Sequence, residues 1–447
     1  MKKEENSEVV HLKALLSFLE QENIEYCILG NTMGFPDAIH GDIDIVVQPA
    51  QISLLNEFLC NFAKNRKIRI IQVFQHEQVA WDYVFSWFED NCKLKFLSID
   101  ICGDYFWNGQ FLISAKELLK ERIQKKSSTS KDTCFYTPNH GKAFIYYLIK
   151  KVVKQGLTHK QIQYLWAEWD KDPVGCEKQI KRFWAEKDTD KIVWALEKKK
   201  YNALSDLIPG LKKSLRKNLN FSILHFSKEI KRIIQRILKP TGLSVAFIGP
   251  DGSGKSSIIE NIHHDLMPAF RKTYVYHLRP RITPRNQKIS ASVKNPHAKA
   301  PRGQLSSFLK IFYYLFDCSI GYVLKIWPLI ISSTLVLFDR YYHDILVDPK
   351  RFRYGASTWL AEFIGRTVPK PNIWILLDSP PDIIQTRKQE TSYEETNRQC
   401  KAYIEISKRL NNCFVVDASA PLNHVVVEVN NAILAFLAKR TEGRIGY

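Results

Sequence analysis

Residues 249–256 read Gly-Pro-Asp-Gly-Ser-Gly-Lys-Ser, a complete G-x-x-x-x-G-K-[ST] pattern. The stretch before it, Leu-Ser-Val-Ala-Phe-Ile at 243–248, is apolar and has the length of a buried strand. The stretch after it, at 257–262, carries apolar residues at helical spacing. Strand, glycine-rich turn and helix in this order predict a loop whose backbone N–H groups surround phosphate oxygens at the positive end of a helix.

This loop predicts the binding of a nucleoside triphosphate together with Mg²⁺. Lys255 can reach the β- and γ-phosphates, and the Ser256 hydroxyl can ligand the metal. A glycine-rich turn that binds nothing would not explain a lysine followed by a serine at these two positions. We therefore expect ATP and Mg²⁺ as cofactors, bound by Gly249, Asp251, Gly252, Ser253, Gly254, Lys255, Ser256 and Ser257.

A second apolar segment, residues 332–341, ends in Asp339-Arg340-Tyr341. In phosphate-loop folds the carboxyl end of a strand supplies a carboxylate to the metal beside the nucleotide. Asp339 fits this role, and Arg340 can hold the phosphate of an acceptor through two hydrogen bonds. The alternative for an isolated Asp-Arg pair is a surface ion pair, but its place after an apolar strand favours the functional interpretation.

With 447 residues the chain is too long for one ordinary core, so we expect several domains. Residues 1–130 alternate short apolar runs with helical patterns, as in a small domain of helices and strands. Residues 131–240 carry helical periodicity without strand signals and predict a basic helical connector. Pro240-Thr241-Gly242 ends that connector, and the phosphate-loop domain occupies 241–447.

The formal charge of +19 is unevenly distributed, because residues 198–239 contain twelve Lys or Arg and two acids. Such a surplus suits an anionic partner, and a solvated linker without a ligand explains it equally well. No recognisable RNA or DNA module accompanies the charge, so we expect no specific nucleic-acid partner. The basic amphipathic stretch Ile230–Leu238 could lie on a membrane surface, although packing of one face on a neighbouring domain is the favoured alternative.

The remaining composition predicts a cytoplasmic protein. Any membrane contact is expected to be peripheral, at the inner face of the membrane. The N-terminus opens Met-Lys-Lys-Glu-Glu-Asn without an apolar core. The longest apolar stretch, Ile326–Phe338, contains Pro328 and is too short to span a bilayer, so we expect a buried strand with its approach. Nine dispersed cysteines without a C-x-x-C pair favour reduced thiols over a disulfide framework or a zinc site.

The loop and the Asp339-Arg340-Tyr341 motif together resemble those of the thymidylate kinase family. Residues 373–381, Ile-Trp-Ile-Leu-Leu-Asp-Ser-Pro-Pro, resemble a later core strand of that family and its L-x-x-P-P turn. Arg387 lies where the family has its basic lid, and Val415-Val416-Asp417-Ala418 resembles the closing strand. The resemblance covers residues 243–438 and implies an α/β fold, in which a parallel sheet is wrapped by helices and a lid closes over ATP. It also implies a homodimer.

Roles follow from this resemblance residue by residue. Lys255, Asp339, Arg340 and Arg387 would be catalytic, and Ser256 with Asp339 would organise Mg²⁺. Acceptor contacts would come from Asp251, Arg340, Tyr341 and Arg398, and Arg398 would also act with Arg387 as a lid arginine. Arg279, in the basic stretch where the chain departs from the family, is a further expected acceptor contact. Phosphoryl transfer depends mostly on positioning and on neutralising spread negative charge, which these cations supply.

The acceptor region departs from the family, because the segment between the loop and Asp339 is long. It contains basic and aromatic clusters at 277–281 and 294–302, and a third follows at 344–355. These clusters suit an anionic acceptor, although solvated loops would read similarly. The pattern resembles thymidylate kinase-like proteins found among bacterial surface-polysaccharide proteins, so the acceptor is expected to be a nucleoside monophosphate or a sugar- or glycan-type phosphate acceptor.

The N-terminal region resembles the nucleotidyltransferase superfamily. Gly30-Asn31 after an apolar run is followed by Asp42-Ile43-Asp44, and a third acid, Asp100, lies in a later apolar segment. Carboxylates two apart on a strand point to one face, so we expect Asp42, Asp44 and Asp100 to bind metal. Asn31 stands where that family has Gly or Ser, which leaves activity of this domain open.

The sequence as a whole predicts an α/β P-loop kinase preceded by an α+β nucleotidyltransferase-like domain and a helical connector. Its expected function is ATP- and Mg²⁺-dependent phosphotransfer to a nucleotide or sugar-type acceptor. The alternative is a nucleotide-gated scaffold or regulator of a membrane-associated polysaccharide biosynthesis machine, with a weakly active or inactive nucleotidyltransferase domain.

Overall fold

The computed structural model describes residues 6–32, 34–39, 43–127, 133–218, 223–280 and 300–445. Contacts divide the chain into two compact units. The first comprises Met1–Ile234 with Ala438–Tyr447, and the second comprises Gln235–Leu437. The helices of the predicted connector fall in the first unit up to Ile234. The three-domain division drawn from the sequence stays a prediction.

A five-stranded mixed sheet organises the first unit. Its order is β1-β2-β5-β4-β3, in which β2 and β5 are parallel and the other neighbours antiparallel. Two hairpins, β6–β7 and β8–β9, complete its strands. The strands are β1 (Tyr26–Leu29), β2 (Ile43–Val47), β3 (Arg69–Glu77), β4 (Ala80–Phe88), β5 (Leu94–Cys102), β6 (Tyr105–Trp107), β7 (Gln110–Ile113), β8 (Ile123–Lys126) and β9 (Cys134–Thr137).

Helices pack on this sheet because their apolar residues recur on one face. Val9, Leu12, Leu16 and Leu19 of the first helix are all buried. The helices are α1 (Ser7–Gln21), α2 (Ile52–Arg66), α3 (Ala115–Leu119), α4 (His140–Lys154), α5 (His159–Lys171), α6 (Pro173–Phe183), α7 (Glu186–Glu197), α8 (Tyr201–Asn218) and α9 (Ile223–Leu238), and the division between the units falls within α9. Helix α4 is buried on almost every side, since one core joins it to β1, β2 and helices α5 to α8.

A five-stranded parallel sheet organises the second unit, in the order β11-β12-β10-β13-β14. Its central strands are continuous aliphatic and aromatic runs because helices cover both faces. The strands are β10 (Leu243–Ile248), β11 (Lys272–His277), β12 (Thr334–Asp339), β13 (Ile373–Asp378) and β14 (Cys413–Asp417). The predicted parallel sheet wrapped by helices is confirmed.

The helices of this unit are α10 (Lys255–Asp265), α11 (Gln304–Gly321), α12 (Trp327–Ile331), α13 (Asp344–Val347), α14 (Thr358–Thr367), α15 (Pro381–Arg387), α16 (Tyr393–Ser407) and α17 (Leu422–Ile445). A π-helical turn at Tyr322–Ile326 joins α11 to α12. Trp374 and Phe338 lie in the core that α11, α14 and α16 cover. The last residues of α17 belong to the first unit.

One local prediction is wrong, and one predicted strand occupies only the end of its apolar stretch. Residues 131–240 do hold a strand, because β9 pairs with β8 over Cys134–Thr137. Within the stretch Ile326–Phe338 only the residues from Thr334 onward form a strand, while Trp327–Ile331 is helical. Pro328 lies at the start of this segment, directly after the π-helical turn Tyr322–Ile326.

One continuous helical stretch, Gln304–Ile331, is long and apolar enough to cross a membrane by length and composition. Only 28% of its most apolar window is buried. Its inward side nevertheless belongs to the second unit, because Ile311, Cys318 and Ile330 lie in the core.

Candidate active site

The phosphate loop follows β10 at the carboxyl end of the parallel sheet. Gly249, Gly252 and Gly254 have φ angles of 143°, 89° and 88°. A Cβ on Gly249 would lie 2.8 Å from the Leu377 carbonyl oxygen and 3.2 Å from Ser253 Oγ, so this position admits only glycine. Helix α10 starts directly at Lys255, which gives the predicted strand–loop–helix order.

Lys255 lies buried inside the loop. Its Nζ donates to the carbonyl oxygens of Gly249 at 2.8 Å and Pro250 at 2.7 Å, and to Ser253 Oγ at 3.4 Å. Burial lowers the pKa of Lys255, while nearby carboxylates oppose that shift. Phosphate oxygens would replace these weak carbonyl partners with full negative charges, so the lysine is placed to hold a nucleotide.

Asp339 and Ser256 provide the expected oxygen donors for Mg²⁺. Asp339 ends β12, where the parallel register pairs it with His277 of β11, whose Nδ1 lies 3.5 Å from Asp339 Oδ2. Burial raises the pKa of Asp339, but hydrogen bonds from His277 and Ser256 and the charge of Lys255 outweigh it, so the pKa lies below its usual value. An ionised carboxylate beside a hydroxyl fits a Mg²⁺ ion, which prefers oxygen ligands.

A pocket of about 370 Å³ opens beside these donors. Ser256 and Asp339 line it together with His263 and His264 of α10 and Val275 of β11. This pocket has room for part of a nucleotide next to the loop.

Asp251, at the tip of the loop, is held between two arginines. Arg340 and Arg351 each form a close ion pair with one of its carboxylate oxygens. Arg340 also pairs with Asp344 at 3.1 Å, and Arg351 with Glu390 at 3.3 Å. Because each guanidinium has several donors in one plane, both could exchange a carboxylate partner for a phosphate.

The buried carboxylate of Asp344 holds the Arg340 guanidinium through an ion pair. Burial raises the pKa of Asp344, and the charges of Arg340 and Lys255 oppose that shift. Arg340 has a positive φ of 73°, and its backbone N–H donates to Phe247 O at 3.0 Å. The arginine is therefore anchored through both backbone and side chain next to β10.

Four predicted site residues make their hydrogen bonds and ion pairs with residues outside this cluster. Tyr341 is buried, and its hydroxyl donates to Pro369 O. Arg387 donates to Ala418 O at 2.8 Å, and Arg398 donates to Val347 O at 2.7 Å and pairs with Glu395. Arg279 pairs with Asp317 at 3.0 Å. Their roles at the site stay predictions. Ser257 is exposed in the first turn of α10.

The acids of the first unit lie side by side. Parallel pairing of β2 with β5 places Asp44 opposite Asp100. Lys150 of α4 forms a close ion pair with Asp44, and His76 Nε2 lies 3.2 Å from Asp100 Oδ2. Burial raises the pKa of Asp100, and the hydrogen bond from His76 opposes that shift. The third expected ligand, Asp42, lies outside the described residues.

The described part of the chain contains no group of three or more His, Cys, Asp or Glu residues arranged to hold a metal. Metal binding by Asp42, Asp44 and Asp100 therefore stays a prediction. A positive φ of 90° at Gly30, after β1, brings its backbone near Asp44, since a Cβ there would lie 3.9 Å from Oδ2.

The sequence indicated Asp344 and Arg351 only as members of the stretch 344–355 expected to suit an anionic acceptor, and it gave no individual role to either of them or to Glu390. Arg351 lies eleven positions after Arg340 in the basic run 350–353, and a second arginine after an Asp-Arg motif is the signal that could have found it. Asp344 is four residues after Arg340, the spacing of a helical ion pair. No sequence pattern indicated that Glu390 contacts the site, because its partner Arg351 is distant along the chain.

Comparison with known proteins agrees with this geometry. Residues 247–429 match the family model described as thymidylate kinase. A probable thymidylate kinase of Archaeoglobus fulgidus is 28% identical over 207 residues, which are 43% of this chain and 95% of the relative. A thymidylate kinase of Xanthomonas euvesicatoria pv. vesicatoria is 27% identical over 215 residues, 46% of this chain and 89% of the relative.

The chain also aligns with a crystal structure of thymidylate kinase from Ehrlichia chaffeensis. The alignment covers 43% of this chain and 98% of the other chain, with 19% sequence identity and a TM-score of 0.32. The family model and the two relatives all match the C-terminal part of the chain, which contains the phosphate loop, Asp339 and Arg340. This part of the chain is therefore a thymidylate kinase-like phosphotransferase domain, with ATP and Mg²⁺ as its cofactors.

Proposed function

We propose that the chain transfers the γ-phosphoryl group of ATP to a phosphate-bearing acceptor, either a nucleoside monophosphate or a sugar- or glycan-type molecule. The observation that carries this proposal is the pair of arginines on Asp251. Arg340 and Arg351 converge on the loop that holds Lys255, so cations for the donor and for the acceptor lie together. These cations would offset the repulsion between the donor phosphate and the acceptor phosphate at the site.

Each residue has a distinct part in the transfer. Lys255 and the loop N–H groups hold the phosphates of the donor, and Arg340 with Arg351 orients the acceptor phosphate in line with them. Ser256 and Asp339 would hold Mg²⁺, which when bound neutralises charge on the donor phosphates. Asp251 keeps the two guanidinium groups spaced. Arg387 would act as a lid residue only after it leaves the Ala418 carbonyl.

The alternative proposal is a nucleotide-gated scaffold in surface-polysaccharide synthesis, in which ATP binding changes conformation without turnover. Glu390, beside the lid, favours this alternative because it links Arg351 to Lys388, which lies against the loop at Gly252. A ligand that displaces Arg351 would therefore release the lid segment.

Substitution of Lys255 separates the two proposals. We expect Lys255→Ala to lower acceptor-dependent ADP formation by at least about 100-fold, because a preorganised cation for the migrating phosphoryl group is lost. The measurement is ³¹P NMR with ATP, Mg²⁺ and a panel of deoxythymidylate, other nucleoside monophosphates, and free and phosphorylated sugars. Lys401→Ala, at an exposed position of α16, is the matched control.

Unchanged turnover in Lys255→Ala would contradict phosphotransfer at this loop. Nucleotide binding by the wild type without consumption of any acceptor would favour the scaffold.

We propose that the first unit is nucleotidyltransferase-like. Support comes from the register that places Asp44 opposite Asp100 and from the close approach of Gly30 to Asp44. Lys150 occupies the position beside Asp44 that a metal ion would take. Metal binding must therefore displace the Lys150 ammonium group, which makes it weak in the wild type.

Replacement of Lys150 by Gln is expected to raise Mn²⁺ affinity about tenfold, because a competing cation is removed. Asp44→Asn is expected to abolish this binding. Mn²⁺ titration followed by electron paramagnetic resonance measures both, in a Lys255→Ala background that lacks the phosphate-loop lysine. The proposal is wrong if Lys150→Gln binds no more Mn²⁺ than the parent protein.

We propose a peripheral membrane contact through α9. This helix turns its arginines toward the protein, since Arg232 donates to Gln75 O at 3.3 Å and Arg236 to Ile331 O at 2.9 Å. Its apolar side chains are instead exposed: Phe226, Ile230, Ile233, Ile234, Ile237 and Leu238. Lys228 and Lys231 are exposed on the same helix. An apolar face bordered by lysines suits an anionic bilayer surface on the cytoplasmic side.

We expect the protein to sediment with phosphatidylglycerol-containing vesicles and not with pure phosphatidylcholine vesicles. Ile234→Asp should abolish sedimentation because it places a charge in the buried face of the bound helix, whereas Leu54→Asp, on α2, should not. Equal sedimentation of the wild type and Ile234→Asp would rule out this face.

We propose that a second copy of the chain covers the outer face of α11. Leu305, Leu309 and Phe316 on this face are 75%, 63% and 61% exposed, and Trp359 of the neighbouring α14 is 69% exposed. A surface of this kind usually marks an interface. The buried ion pair of Asp317 with Arg279 ties the inner face to the domain, which favours a protein partner over a spanning helix.

Light scattering is expected to give twice the 52.0 kDa of the chain. Leu309→Glu should give the monomer mass, because a charge in the centre of the interface remains unpaired. A monomeric wild type, or a dimer that Leu309→Glu leaves intact, would contradict this interface.

A further inference from the structure

A basic cluster lies in the second unit, in stretches that the sequence associates only in general terms with an anionic acceptor. Residues 266–316 contain ten Lys or Arg and no Asp or Glu. The structure describes 266–280 and 300–316 of this run. Arg279, Arg302 and Lys310 from the run come together with Arg353, which follows α13; we call these four residues the basic cluster.

Backbone contacts hold the basic cluster together. The Arg302 N–H donates to Arg353 O at 3.2 Å, and Arg353 Nε donates to Ala300 O at 3.1 Å. Lys310 Nζ donates to the Phe352 carbonyl oxygen. The cluster is therefore part of the fold and does not depend on flexible side chains meeting by chance.

Tyr314 of α11 contacts two of the cations. The Arg279 guanidinium carbon lies 4.1 Å from the centre of the Tyr314 ring, and Lys310 Nζ lies 5.5 Å from it. An aromatic ring attracts cations and so offsets part of the repulsion between these two.

Charge in the cluster is only partly balanced. Asp317 pairs with Arg279 at 3.0 Å. Arg302, Lys310 and Arg353 have no ion pair with any carboxylate among the residues that the structure describes. Burial and the three neighbouring arginines lower the pKa of Lys310 to about 8. Like charges held together destabilise a fold, and a bound anion would offset that cost.

The cluster borders the active site along two separate segments. His277 lies 3.5 Å from Asp339, and Arg279 is two residues further along the chain. Arg351 pairs with Asp251, and Arg353 is again two residues further. Two residues span at most about 7 Å between Cα atoms, so the backbone at Arg279 and at Arg353 lies within that distance of the residues that contact Asp339 and Asp251.

We propose that the basic cluster binds a second anionic group of the phosphoryl acceptor. This inference rests on the proposed phosphotransfer and narrows its acceptor to a molecule with two anionic groups, the phosphate beside Asp251 and a further phosphate or carboxylate at Lys310 and Arg353. A nucleoside monophosphate with a neutral base does not have that second charge.

Paired probes that differ by a single phosphate test this directly. Isothermal titration calorimetry compares deoxythymidine 5′-monophosphate with deoxythymidine 3′,5′-bisphosphate, in the presence of Mg²⁺ and a saturating non-hydrolysable ATP analogue that keeps the loop filled. We expect the wild type to bind the bisphosphate about tenfold tighter or more, which corresponds to one charge-assisted hydrogen bond.

Four variants of the basic cluster and one control locate the effect. Lys310→Gln and Arg353→Gln should each lower bisphosphate affinity about tenfold and leave monophosphate affinity unchanged, and Lys310→Arg should retain the preference. Arg302→Gln tests the cluster at an exposed position should the others fail to fold, with the same expected loss. Lys401→Gln, on exposed α16, should change neither affinity.

Equal affinities for the two probes in the wild type would overturn the proposal, as would a parallel loss of both in the variants. The same probes distinguish failure of the anion site from failure of phosphotransfer. A preference for the bisphosphate without ADP formation from ATP and either probe would support the anion site and contradict the proposed reaction. Turnover of the monophosphate without any preference for the bisphosphate would support the reaction and contradict the anion site.

Discussion

Parallel pairing of β10 with β12 determines where the chemistry of the second unit takes place. The register sets Phe247 beside Asp339, so the phosphate loop and the carboxylate emerge at the same edge of the sheet. On the other side of β12, β11 brings His277 to Asp339. Substituents at the carboxyl ends of adjacent parallel strands necessarily converge. The donor site therefore depends on the hydrogen-bonded register of three strands.

The acceptor side depends on charge instead of strand register. Asp251 is the meeting point, because two arginines from separate segments share its carboxylate. Asp344 holds one of them from a fully buried position, while Glu390 pairs with the other and with Lys388. In the proposed reaction, an acceptor phosphate that replaces Asp251 in these contacts would alter all of these ion pairs together.

The sequence predicts the donor site well because that site is local. Gly249 to Ser256 fix a backbone path by themselves, and β10 and α10 begin and end where the apolar pattern indicates. Asp339 was also predictable, since it directly follows an apolar strand. Arg351 was indicated only as part of the basic stretch 344–355, because its partners Asp251 and Glu390 are distant along the chain. Glu390 was not singled out for the same reason. Tyr341 adjoins Arg340 in sequence, but its ring is buried against Trp374, and its expected acceptor contact stays a prediction.

This difference bears on what a family match can establish. Phosphate binding through backbone N–H groups tolerates almost any neighbouring side chains, so the motif survives when the acceptor changes. In the proposed reaction, acceptor choice depends instead on side chains such as Lys310 and Arg353, which come from a helix and a loop that no short motif includes. Identities of 27% and 28% to thymidylate kinases therefore agree with the shared loop chemistry. The unbalanced cations beside that loop are the feature of this chain that distinguishes one acceptor from another.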